Sequence, residues 1–188
     1  MEISIAMLRL NSRMACTAAM IPLLAACSAL GAVEQRPAQP SAPTAPAQGS
    51  GGPFFPLCGG ISDQVVTAVT QQRGLINTAQ SSVGCQWLAG GDVRGSQFSF
   101  SWYRGSPIGR ERRIIAVDHT SVEDISIDGH DGVIAKDSQK ALGDNFCEIA
   151  IGFAGDFIEW TVDFQQKPFP DPCGVVRELT HQSIAHAK

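Results

Sequence analysis

The sequence predicts an α+β domain: an antiparallel sheet of about five strands with two to three helices packed on one face. Three observations predict it. Apolar residues alternate with polar ones in three runs: Phe98, Phe100, Trp102; Cys147, Ile149, Ile151, Phe153; and Ile158, Trp160, Val162, Phe164. Helical spacing replaces alternation at both ends of the domain, in Ile61, Val65, Val66, Val69 and again in Val176, Leu179, Ile184. Turn signals at Gly129-His130-Asp131-Gly132 and Gly155-Asp156 join neighbouring strands into hairpins.

Taken in order, the first helix follows Pro-Phe-Phe-Pro-Leu-Cys-Gly, with Ser62 as N-cap and Gly74 as its stop. Cys85-Gln86-Trp87-Leu88 reads as a short strand, and Gln97 to Tyr103 as a strand with one aromatic face. Pro107 in the first turn, with Ile108, Ile114, Ile115 and Val117, predicts a middle helix capped around Ser106. Ile125 to Asp128 and Val133 to Lys136 flank the four-residue turn. Gly155 at the first turn position predicts a type II′ hairpin between the last two strands. Asp171 is available to cap a final helix with Pro172 at its first position.

Ahead of the domain, residues 1–26 read as a secretory signal: Arg9 and Arg13, an apolar run from Met14, then Leu24-Ala25-Ala26-Cys27. Met7 is an alternative start, and an uncleaved membrane helix over Met14 to Val33 is the competing reading. Residues 27–53 form a tether in which Pro37, Pro40, Pro43, Pro46 and Pro53 alternate with Ala, Gln, Ser and Gly. Such a segment buries too little apolar surface to fold and reaches at most roughly 80 Å at ~3.1 Å per residue. Ser41 and Thr44 are candidate O-glycosylation positions on composition. Residues 54–188 form the single domain.

The 188 residues carry a formal charge of −4, and loss of the signal leaves 12 basic against 17 acidic residues. That balance excludes a general nucleic-acid binder, which neutralises many phosphates. Of six cysteines, Cys16 leaves with the signal and Cys27 directly follows it. Cys58, Cys85, Cys147 and Cys173 remain, an even number that suggests two disulfides in an exported domain. Four cysteines allow three pairings, and spacing does not choose among them.

No catalytic set emerges. There is no Gly-x-Ser-x-Gly elbow, no Cys-x-x-Cys and no His-Glu-x-x-His, so neither a catalytic residue, a metal nor another cofactor is assigned. His119 and His130 read as turn residues, and His181 and His186 fall on different helix faces. Glu123, Asp124, Asp128 and Asp131 lack calcium-loop order and read as a solvated rim. Arg104, Arg110, Arg112 and Arg113 could meet anionic headgroups or cell-wall polymers. Glu111 dilutes them, and the wet face of a helix is the simpler reading. Trp87, Trp102 and Trp160 could line a pocket, but core packing is the commoner use of such residues.

Leu24-Ala25-Ala26-Cys27 resembles the lipobox of bacterial lipoproteins. With the Pro/Ala tether, Cys58-Gly59, Cys85-Gln86-Trp87, Cys147-Glu148-Ile149-Ala150-Ile151 and Asp171-Pro172-Cys173, nearly the whole chain resembles actinobacterial lipoproteins of unknown function of the LprB/LprC type. The resemblance implies a diacylglyceryl thioether on Cys27, cleavage before it, and often a further acyl chain such as palmitate. It implies the extracytoplasmic side of the cell membrane, and it is similar in architecture to Mog1/PsbP-like domains. It carries no catalytic residue. Within this pattern Cys58 and Cys173 each precede a helix while Cys85 and Cys147 lie on strands, so the expected bridges are Cys58–Cys173 and Cys85–Cys147.

The expectation is therefore a lipid-anchored, non-enzymatic envelope protein that binds something small or another envelope protein. The alternatives are a carrier of lipid or glycolipid between sheet and helices, and a hydrolase with an atypical site.

Overall fold

The backbone of the domain is one antiparallel sheet of seven strands, seen in a computed structural model that describes residues 51–188. The expectations for the signal, for Cys16, for the lipid on Cys27 and for the tether up to residue 50 lie outside the described residues. A 3-10 turn (Leu57–Gly60) leads to α1 (Asp63–Thr70), β1 (Leu75–Ser81), β2 (Gly84–Ala89) and β3 (Gln97–Tyr103). Next come α2 (Ile108–Asp118), β4 (Ser121–Ile127), β5 (His130–Gln139), β6 (Gly143–Phe153), β7 (Asp156–Asp163) and α3 (Pro172–His186). The spatial order is β1-β2-β3-β7-β6-β5-β4. Two meanders, β1 to β3 and β4 to β7, thus meet at the β3–β7 pair, and α2 carries the chain between them.

The sheet has seven strands where about five were expected, and the strand that no segment of the sequence announced is β1, at the edge. Leu-Ile-Asn-Thr-Ala-Gln-Ser has little of its surface buried and no apolar alternation to read. The helices also cover both faces rather than one. α1 and α3 pack over Trp87, Phe100, Ile149, Trp160 and Val162, whereas α2 buries Ile115 on Val133, Ala135, Ala150 and Phe157 on the opposite side. β6 and β7 are therefore largely buried on both faces, as their Ala150 and Phe157 indicate.

Helix ends follow local chemistry. The Ser62 hydroxyl accepts from the Val65 N–H, and the Asp171 carboxylate accepts from the Gly174 N–H ahead of Pro172. α1 stops at Gln71 in the left-handed region, before Gly74. Pro107, not Ser106, occupies the N-cap of α2, and no side chain closes that end.

Both turns differ from expectation. The four-residue loop shrinks to Asp128-Gly129, with Ile127 opposite His130, so His130 and Asp131 belong to β5. The last hairpin turns on Ala154-Gly155, with Phe153 opposite Asp156. Both central residues of each turn have positive φ, the signature of type I′, a turn whose twist matches that of the flanking strands.

The four cysteines form two bridges, but the expected pairing is corrected: Cys58 joins Cys85 and Cys147 joins Cys173. Topology explains it. β3 and β7 separate β2 from β6, so Cys85 and Cys147 sit on strands three positions apart in the sheet. Each strand cysteine is instead bridged to a cysteine at the start of the helical element that packs on its strand, Cys58 within the 3-10 turn and Cys173 in the first turn of α3.

Candidate functional site

The face of β3, β7 and β6 turned away from α1 and α3 carries Gln97, Ser99, Ser101, Glu148, Glu159, Thr161 and Asp163. α2 covers only the β4–β6 half of this face, and no other described helix covers the rest. The hairpin register places Thr161 opposite Glu148 and Glu159 opposite Ala150, so the two glutamates are diagonal neighbours.

Glu111, on the inward side of α2, adds a third carboxylate to this seam. Burial pushes the Glu159 carboxyl up to about 8, with the negative charges of Glu148 and Glu111 adding to it and a hydrogen bond from Tyr103 opposing. Burial also raises Glu148, whose side chain is only 12% exposed, although His119 pulls the other way. At neutral pH Glu159 holds a proton and can donate as well as accept. Burial and the charge of Glu159 raise the Tyr103 phenol in turn, and its ring stacks on Phe157 at 4.2 Å.

His119 closes the seam at the end of α2. Its Nδ1 lies 2.6 Å from the Asp137 carboxylate and its Nε2 4.0 Å from Glu148. Burial works against the Asp137 charge. Hydrogen bonds from the Thr120 N–H, the His119 ring and the Thr120 hydroxyl outweigh it and hold the carboxyl below its usual range. An ionised carboxylate only accepts, so Nδ1 carries the proton and Nε2 faces Glu148. The ring stacks on Phe146 at 4.9 Å, and the Thr161 hydroxyl donates to Glu148 at 3.4 Å. The arrangement is an Asp137–His119 pair beside two neighbouring carboxyls, Glu148 and Glu159.

The residues singled out from sequence are dispersed. His181 bonds Asp128 at 2.6 Å, Arg112 pairs with Asp124 at 2.6 Å, and Lys136 lies 3.7 Å from Glu123, so three of the four rim carboxylates sit in local pairs. His186 packs beside Gly60, and Arg104 sits over the Trp102 ring at 4.9 Å. The three tryptophans lie in the core, Trp87 and Trp160 bonded to α1 and α3 and Trp102 against Phe54 and Phe55. Among the described residues no group of His, Cys, Asp and Glu is arranged to hold a metal.

Sequence reasoning missed Glu148, Glu159, Glu111, Asp137 and Tyr103. A hairpin centred one residue earlier would have placed the two glutamates on adjacent strand positions; that was the available signal. A cleft of about 600 Å³ near Arg73, Asp92, Arg94 and Gln165 lies at the far end of the sheet. It is open and polar, and it lacks the buried ionisable groups that mark a working site.

Comparison with known proteins places these features in a lineage. Residues 22–186 match the family model described as "Protein of unknown function (DUF3558)". The chain is 56% identical over 181 residues to "Putative lipoprotein LprB" of Mycobacterium tuberculosis, covering 96% of this chain and 97% of that one. The same figures hold for the Mycobacterium bovis protein of that name, and the Mycobacterium leprae one is 54% identical over 174 residues, 89% of each chain. No solved structure matches, and the Mog1/PsbP-like likeness is not shown.

Proposed function

The chain belongs to the DUF3558 family of proteins of unknown function, and from that premise we propose a non-enzymatic binding domain held outside the cell membrane by an acylated Cys27. The lipoprotein name of its relatives supports the anchor, and two disulfides in the domain support an oxidising compartment. Among the described residues no helix is long and apolar enough to cross a membrane.

One observation carries the binding reading: the polar floor of β3, β7 and β6 beside α2. Gln97, Ser99, Ser101 and Thr161 offer amides and hydroxyls on a rigid sheet, and the protonated Glu159 beside Glu148 adds both a donor and acceptors. That chemistry suits a ligand rich in hydroxyl or amino groups, such as an envelope glycan or a polar loop of an envelope protein. Amide-shift mapping of the mature chain against soluble cell-wall glycan fragments and envelope peptides tests it. Shifts clustered at Ser99, Ser101, Glu159 and Thr161 support the reading; shifts on the far side of the sheet, or none, contradict it.

The same glutamates favour a second reading, a hydrolase in which Glu159 donates a proton and Glu148 accepts one. Mass analysis of the glycan and peptide panel after incubation separates the two, because a binder returns every ligand intact. The carrier alternative receives less support, since stacked Trp87 and Trp160 with Phe100 fill the space between sheet and helices.

A further inference from the structure

α2 shows solvent a face that its sequence does not reveal. Ile108 and Ile115 turn inward, and so does Glu111, the residue expected to dilute the helix's positive charge. Arg112 is drawn aside to Asp124, and Arg104, just before the helix, to Trp102. Of the residues α2 leaves exposed, Arg110, Arg113, Ile114 and Val117 are spaced i, i+3, i+4, i+7 on a single stripe, with Gly109 and Ala116 to one side of it and Asp118 to the other. All four are exposed, Ile114 by 42% and Val117 by 84%. Neither Arg110 nor Arg113 has an ion-pair partner among the described residues.

We propose that this stripe docks the domain on an anionic lipid surface, the outer leaflet of the membrane that holds Cys27. The inference rests on the anchored reading above. Two observations select this occupant. The first is charge: two unpaired guanidinium groups flanking aliphatic side chains on an otherwise acidic chain suit phosphate headgroups with acyl chains beneath. The second is where the tether ends. Gly52 packs on Phe153 and Asp156 at the β6–β7 turn. Asp156 accepts the Gly105 N–H at 2.7 Å, and Gly152 lies against Ile108. The chain from the anchor thus enters the domain beside the first turn of α2, so the end of the domain nearest its point of attachment is the end that carries Arg110. Val117 follows seven residues on, about 10 Å along the axis.

Hydrogen exchange of the mature, lipidated chain tests this in phosphatidylglycerol–phosphatidylcholine vesicles and in pure phosphatidylcholine vesicles. The expected result is slower exchange across residues 108–118 on the anionic vesicles alone, lost at high salt. Removing the two arginine charges should weaken docking roughly 30-fold, at about fivefold per charge. Arg110→Glu with Arg113→Glu should therefore abolish the protection, and so should Val117→Asp, a surface change that leaves the fold intact. Equal exchange on both lipids by acylated, vesicle-bound protein overturns the docking and leaves the anchor standing. An unacylated amino-terminal peptide in the same digest overturns the anchor, and the docking with it.

Discussion

The indoles of Trp87 and Trp160 stack at 5.6 Å with their planes 14° apart, and each sends its N–H to a different helix. Trp87 donates to Asp63 of α1 at 2.7 Å, and Trp160 donates to Ser183 of α3 at 2.9 Å. One aromatic pair thus ties both helices to the sheet. Ser183 is fully buried, so Ser183→Ala leaves the Trp160 N–H unsatisfied and should cost about 1–3 kcal/mol. Asp63 faces solvent, and Asp63→Ala should cost less because water can replace the carboxylate. Urea denaturation of the two variants reads the difference; a smaller loss for Ser183→Ala would show that the bond is dispensable.

Each disulfide closes a loop of similar length, with sequence separations of 27 and 26. On the chain-entropy model each contributes roughly 3–4 kcal/mol. Cys58→Ser with Cys85→Ser should lower stability by about that amount and leave Cys147–Cys173 intact. Peptide mapping without reduction should recover only these two links, and a Cys58–Cys173 peptide would contradict the fold.

Glu159 makes stability depend on pH. Its carboxyl is raised in the folded protein, to about 8, so the native state binds a proton that the unfolded chain has released. Its contribution is complete below the unfolded value and is lost as pH rises from about 4.5 through about 8. Glu159→Gln mimics the protonated form and should flatten that decline, with the largest gain in melting temperature above pH 8. A wild-type curve with no decline across this window would show the carboxyl to be solvated.

Asp137 works in the opposite sense. Its carboxyl is lowered in the folded protein, so its contribution is present above the unfolded value near 3.8 and is lost as pH falls through the folded value. Asp137→Asn keeps the shape and should remove that acid dependence. It should also broaden the His119 ring resonances, since the neutral amide holds Nδ1 less firmly; an unchanged histidine spectrum would argue against the pair.

Caps and buried strands were legible because their causes are local. Ser62, Asp171 and Pro172 each satisfy or forgo a backbone N–H within one turn, and the Phe98–Trp102 alternation states its own face. β1 was not legible, since an edge strand needs little apolar surface. The carboxylate seam depended on one residue of hairpin register. A turn at Gly155-Asp156 would set Glu148 opposite Asp163 and carry Glu159 away from it; the turn at Ala154-Gly155 brings the two glutamates together. Glu111 joins them only because α2 crosses the sheet from β3 to β4, a placement that helical spacing alone does not encode.

The anchored reading has its most direct test in the intact mass of the protein purified from membranes. The account predicts a chain beginning at Cys27, heavier than its sequence by a diacylglyceryl group, with Cys58, Cys85, Cys147 and Cys173 all oxidised. A chain with a free, unacylated amino terminus and four free thiols would contradict it.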